Sequence, residues 1–157
     1  TPLYSSAASD VYKRQTMFDG DTLTVKVDIP EGVKDMQMVY ITTGHGGWGG
    51  GDEFNRKLNE LFVDGRKVWS YIPWRSDCGA YRLFNPASCN FWNGLSSSDY
   101  SRSGWCPGSV SEPLIIPLDW LTPGIHTVSV TVPLGKPEGS SFSHWNISGV
   151  LVGHQSR

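Results

Sequence analysis

Charge is scarce in this chain. Asp, Glu, Lys and Arg make up 18% of 157 residues and leave a formal charge of −2. No basic stripe exists to hold a polyanion, which points away from nucleic acid as a partner. Long apolar runs are missing too: nothing approaches the ~18–20 residues that span a bilayer, so no membrane partner is expected. No CxxC pair occurs among the three cysteines, Cys78, Cys89 and Cys106. No His stands at finger-like spacing, which argues against structural zinc. The four histidines, His45, His126, His144 and His154, form no HH, HxH or HExxH pattern, so neither metal nor cofactor is expected. No stretch sustains a 3.6-residue period long enough for a convincing helix, and there is no internal repeat.

What is plentiful instead is Gly, Pro, Ser, Thr and Trp, with 18 glycines, 10 prolines and 7 tryptophans. Many turn formers and few helix formers predict an all-β protein, and the length suits one domain with its own core. The opening "TPLYSSAASDVYKRQ", residues 1–15, lacks any sustained period. It reads as foreign or disordered sequence, of the kind translated from sequencing adapters, and is set aside. On that reading a native N-terminal part is missing, and the domain proper is 16–157.

From Thr22 the pattern is β. Leu23, Val25, Val27 and Ile29 alternate with Thr24, Lys26 and Asp28, the mark of a strand with one wet face. "MQMVYITT", Met36 to Thr43, is apolar on both faces, as in a covered central strand. Lys57 to Val63 and "KVWSYIP" read as strands joined at Asp64-Gly65, a type I′ turn signal. Pro73 to Pro113 holds all three cysteines without periodicity and reads as a long, crosslinked functional loop. Strands resume at "PLIIPL", "IHTVSVTV" and "HWNISGVLVG". Short strands with frequent turns predict an antiparallel β-sandwich or jelly roll.

Three features could carry chemistry. In "GHGGWGGG", six of the eight residues from Gly44 to Gly51 are glycine. The run lacks the GK[ST] ending of a phosphate loop, so its use is positive φ or close approach of a ligand to the backbone; a mobile hairpin loop is the plainer reading. Asp52 and Glu53 follow at once. If they begin a strand, only one can face a given cleft, and the plainer reading is a solvated acidic pair. "DYSRSGWCPG" places Arg102 and Trp105 beside Cys106, a fork of donors and a flat ring on one crosslinked loop. Trp48, Trp74, Trp92 and Trp105 cluster around these loops as possible sugar platforms, whereas Trp69 is expected in the core. His45 stands beside the glycine loop and joins the candidates; His126 and His154 are expected to be structural.

Taken in order, "TGHGG", "GDEFNRK", "WRSDCG", "FNP", "YSRSGWCPG" and "PGIHTVSV" resemble the C-terminal half of the peptide-N-glycosidase F family, from about Asp21 to Gly153. The resemblance implies two stacked jelly rolls with an active site at their interface. The implied activity is an amidase that releases intact N-glycans from asparagine. It puts the family's acidic residue on Glu53 and its arginine on Arg102. His45, Trp48, Asp52 and Trp105 would line the substrate. Cys78 and Cys106 would form a disulfide, leaving Cys89 free and implying secretion or the periplasm. An N-linked glycan or glycopeptide would be the ligand, the N-terminal jelly roll the partner, and the whole a monomer. Two departures stand out. Gly51 and Asn55 occupy positions where the best-known member has cysteines, and the family's principal catalytic aspartate belongs to an N-terminal half absent here. Two other readings stay open: a non-catalytic glycan- or glycopeptide-binding module on the same jelly roll, and a copper monooxygenase of related architecture, which the missing paired histidines disfavour.

Overall fold

The computed structural model describes residues 18–46, 51–85, 89–134 and 143–155. Residues 1–15 and Trp48 therefore lie outside the described residues. Among the described residues ten strands, all paired antiparallel, build the fold. Strands β1 (Phe18–Asp19), β2 (Thr22–Ile29), β9 (Gly124–Thr131), β4 (Asn59–Val63) and β5 (Arg66–Tyr71) form a five-stranded sheet in that order. Strands β10 (His144–Gln155), β3 (Val33–His45) and β8 (Leu114–Pro117) form a three-stranded sheet. A short ribbon pairs β6 (Trp74–Arg75) with β7 (Arg102–Ser103). The expected all-β sandwich is thus the observed one.

The period-two pattern explains the layering. Val27 and Ile29 of β2, Leu61 and Val63 of β4, and Val128 and Val130 of β9 point inward from one sheet. They meet Met36, Met38 and Tyr40 of β3, Ile116 of β8 and Leu151 of β10 from the other. Each such burial contributes about 1.5–3 kcal/mol relative to exposure. The β4–β5 hairpin turns at Asp64 and Gly65 with φ of 50° and 76°, the two positive values a type I′ turn requires. Asp64 then closes the turn onto β9, accepting from Thr127 N at 2.8 Å and pairing with His126 Nδ1 at 2.7 Å.

Several expectations change. β3 is central in its sheet but covered on one face; Val39 and Ile41 on the other are only half-buried. Trp69, expected in the core, is 38% exposed, because β5 is an edge strand and the register shifts between Leu61 and Phe62 beside it. The strand expected from Lys57 begins at Asn59, since Lys57 turns aside to an ion pair with Asp52. Residues 52–55 are bends, not strand, so strict alternation does not govern Asp52 and Glu53. The Pro73–Pro113 region is organised by two short 3₁₀ helices, Cys78–Phe84 and Ser97–Asp99, by the β6–β7 ribbon, and by the Cys78–Cys106 disulfide. Cys89 is free and exposed.

Candidate active site at the neck of the glycine loop

Two glycines let three backbones meet at one end of β3. A Cβ on Gly44 would sit 2.5 Å from Asp52 O and 2.9 Å from Ser103 Cβ. A Cβ on Gly104, at φ +80°, would sit 2.3 Å from Thr42 O. Such distances exclude any side chain, so glycine is what allows the 52–53 bend and β7 to lie against the strand.

The glycine loop is closed at its neck by Gly46. Its carbonyl accepts from Asp52 N at 3.0 Å, Glu53 N at 3.2 Å and Ser143 Oγ at 3.4 Å. Its own N–H donates to Glu53 Oε2 at 3.1 Å. The other oxygen, Glu53 Oε1, accepts from Arg102 Nε at 2.9 Å. Glu53 is therefore gripped at both oxygens while its side chain stays 18% exposed. Its backbone carbonyl accepts from Ser103 N at 2.9 Å, and Ser103 Oγ donates to Asn55 O at 2.8 Å.

Arg102 is held as firmly. Its side chain is 4% exposed, Nη1 donates to Tyr100 O at 3.1 Å, and its Cζ lies 5.0 Å from the Trp105 ring and 5.2 Å from the Phe54 ring. A guanidinium between aromatic faces gains cation–π attraction, and its weak hydration makes it less costly to bury than an ammonium. Trp105 is fixed in turn by donation from Nε1 to Gly44 O at 2.9 Å. Next to it stands His45, 4.9 Å from the Trp105 ring and stacked at 5.1 Å on His144. Burial, then the nearby His144, push the His45 pKa down to about 4, so the ring is neutral at pH 7. His45 Nε2 lies 2.8 Å from Thr43 Oγ1.

The structure thus brings together Glu53, Arg102, Trp105 and His45. Asp52, expected at the substrate, is instead completely buried and ion-paired to Lys57 Nζ at 2.5 Å. No part of it reaches the surface. Among the described residues no group of three or more His, Cys, Asp or Glu could hold a metal ion. Chemically, the cluster offers a carboxylate of fixed orientation with some solvent access, backed by a buried cation and rimmed by rings. Sequence reading missed Gly46, Phe54, Tyr100 and His144. His144 is the register partner of His45 across β3 and β10, a relation invisible until strand pairing is known.

The sequence model described as Peptide-N-glycosidase F, C terminal, matches residues 13–152, nearly the whole chain. The chain belongs to the peptide-N-glycosidase F family. Among solved structures, PNGF-II in one crystal form is 54% identical with a TM-score of 0.79, over 86% of this chain and 25% of that one. In another crystal form it is 48% identical with a TM-score of 0.84, over 100% of this chain and 30% of that one. The glycosylasparaginase PNGase F from Flavobacterium meningosepticum is 15% identical with a TM-score of 0.68, over 99% of this chain and 51% of that one; that likeness concerns the fold alone. No curated protein sequence matches. The chain spans between a quarter and a third of the PNGF-II chains, and the family model that it matches is that of the C-terminal part. No helix among the described residues is long and apolar enough to cross a membrane.

Proposed function

We propose that this domain is one wall of an amidase that hydrolyses the glycosyl-asparagine bond of N-glycoproteins, active only when joined to an N-terminal jelly roll. The observation that carries the reading is the Glu53 carboxylate, locked between Gly46 N and Arg102 Nε and still part-exposed. Amide hydrolysis needs a placed water and stabilised charge at the carbonyl oxygen. A carboxylate of fixed orientation serves by accepting a hydrogen bond from that water or from a sugar hydroxyl. Arg102 is too enclosed to reach a substrate freely, so its role here is to position Glu53. Trp105 and His45 would flank the sugar. Asp52 supports from beneath by anchoring the loop. The partner aspartate would come from the other half, and the disulfide fits an oxidising compartment, periplasmic or extracellular.

The test joins this chain to its matching N-terminal half and follows release of glycan from a denatured glycoprotein. Glu53→Gln should lower the rate about a hundredfold or more while the fold persists. Full activity of the isolated 157-residue chain, or an unchanged rate in Glu53→Gln, would sink the reading. Tight glycopeptide binding by the isolated chain with no turnover in the joined protein would favour the binding-module alternative.

A further inference from the structure

A second feature lies on the other side of β7. Between the β5 and β8 edges the sandwich opens into a groove of about 750 Å³, within the ~300–1,000 Å³ usual for small-molecule sites. Five aromatic residues line it, Tyr40, Tyr71, Trp74, Tyr81 and Phe84, together with Ser109. Phe84 is 68% exposed, an unusual cost for a ring that only packs.

The groove is built. Arg56 lies 5.4 Å over the Trp74 ring and Arg75 lies 5.4 Å over the Tyr81 ring. Arg75 is itself clamped by Asp77, with Nε to Oδ1 and Nη2 to Oδ2 both at 2.7 Å. Gly108 closes the wall: a Cβ there, at φ +83°, would meet Phe84 C at 2.8 Å and Tyr81 O at 2.9 Å. The Cys78–Cys106 disulfide ties that wall to the loop carrying Trp105.

One atom in the groove is poorly partnered. Tyr40 is 2% exposed, and its hydroxyl makes no hydrogen bond of good geometry; it interacts with the Thr42 hydroxyl, which donates its own proton to Asn59 Oδ1 at 3.1 Å and has only a poorly placed lone pair to offer. A buried phenol is costly to leave unmade. An apolar side chain entering the groove would seal that cost in. A sugar would relieve it, offering hydroxyls to Tyr40 and Ser109 and C–H faces to the rings. Position favours the same ligand. Arg102 of β7 meets Glu53, and Gly104, two residues on, lines the groove. A glycan held at Glu53 would have this groove beside it.

The geometry points to the groove lined by Tyr40, Trp74 and Phe84 as a second carbohydrate subsite, taking residues of the glycan beyond the one attached to asparagine. This rests on the amidase reading for its substrate, but it can fail separately. Turnover in the joined protein tests the amidase; binding to this chain tests the groove. The probe is α-mannotriose, which lacks the N-acetylglucosamine that Glu53 would meet. It is titrated at millimolar concentration into the ¹⁵N-labelled chain and followed by the Trp74 indole N–H. Shifts should appear at Trp74 and not at Trp105. Tyr40→Phe, which removes only the hydroxyl, should weaken binding about five- to tenfold. Phe84→Ala, on the exposed rim, should weaken it similarly without loss of fold. No saturable shift at Trp74, unchanged affinity in both variants, or displacement of the sugar by a glycan-free apolar peptide would overturn the proposal.

Discussion

Replacing Glu53 by Gln keeps the shape of the side chain and removes its charge, which exposes the energetics of the Glu53–Arg102 pair. Arg102 is 4% exposed and Glu53 18%. Removing one partner of a fully buried pair typically costs ~3–5 kcal/mol, because the other charge is left uncompensated. Here the cost is smaller. Glu53 is part-wetted, and a Gln carbonyl can still accept from Arg102 Nε, so about 2 kcal/mol is expected for Glu53→Gln. Arg102→Met removes the bond to Tyr100 O and the contacts with Trp105 and Phe54 as well, for about 3 kcal/mol. The double variant has no orphaned charge and should cost about 1.5 kcal/mol less than the sum. Urea unfolding of the four proteins gives the cycle, provided the slopes agree. Additivity within about 0.5 kcal/mol would refute the view that the two side chains act as one unit. The cycle also bears on kinetics: a rate loss in Glu53→Gln counts as catalytic only beyond the fraction unfolded.

Asp52→Asn, naively a neutral control for Glu53, should destabilise by about 2–4 kcal/mol because it strands Lys57 beside a buried amide, and a urea midpoint equal to wild type would contradict that. Gly104→Ala and Gly94→Ala form a matched pair, with φ of +80° and +81°, but only Gly104 has backbone within 4 Å of the added Cβ; Gly94→Ala should cost about 1 kcal/mol and Gly104→Ala several times more, read by thermal unfolding. His45, held near pKa 4 against an ordinary 6.5, takes up its proton more readily unfolded. Stability should therefore be full above pH 6.5, fall as pH drops toward 4, and level off there, by about 2 kcal/mol after allowance for its partial exposure; His45→Gln should shrink that drop in urea titrations. Opening the Cys78–Cys106 bridge, 28 residues apart, should cost about 2–4 kcal/mol, and a thiol reagent should find one reactive cysteine in the native protein, Cys89.

Much of the fold was legible because alternation is a local signal. The β2 strand could be read from Leu23 to Ile29 alone, and the Asp64-Gly65 turn from two residues. The position of Trp69 was not legible, since edge placement depends on which strand ends a sheet. At the site, Glu53 and Arg102 could be named from motif order. Their mutual grip could not, because 49 residues separate them in sequence. Asp52 was set among the residues lining the substrate, while the chain bends there and sends its side chain inward to Lys57. His144 needed the β3–β10 register, which no short window contains.

The single carbonyl of Gly46, accepting from Asp52 N, Glu53 N and Ser143 Oγ, has an evolutionary consequence. It separates the reach of the loop from the placement of Glu53. Residues can be added to or taken from the loop beyond the neck without moving the carboxylate. The entropy of closing a longer loop grows only slowly, about 0.6 kcal/mol per doubling of its length. The loop is therefore a segment that selection, or an engineer, can lengthen and recompose while the placement of Glu53 behind it stays constant.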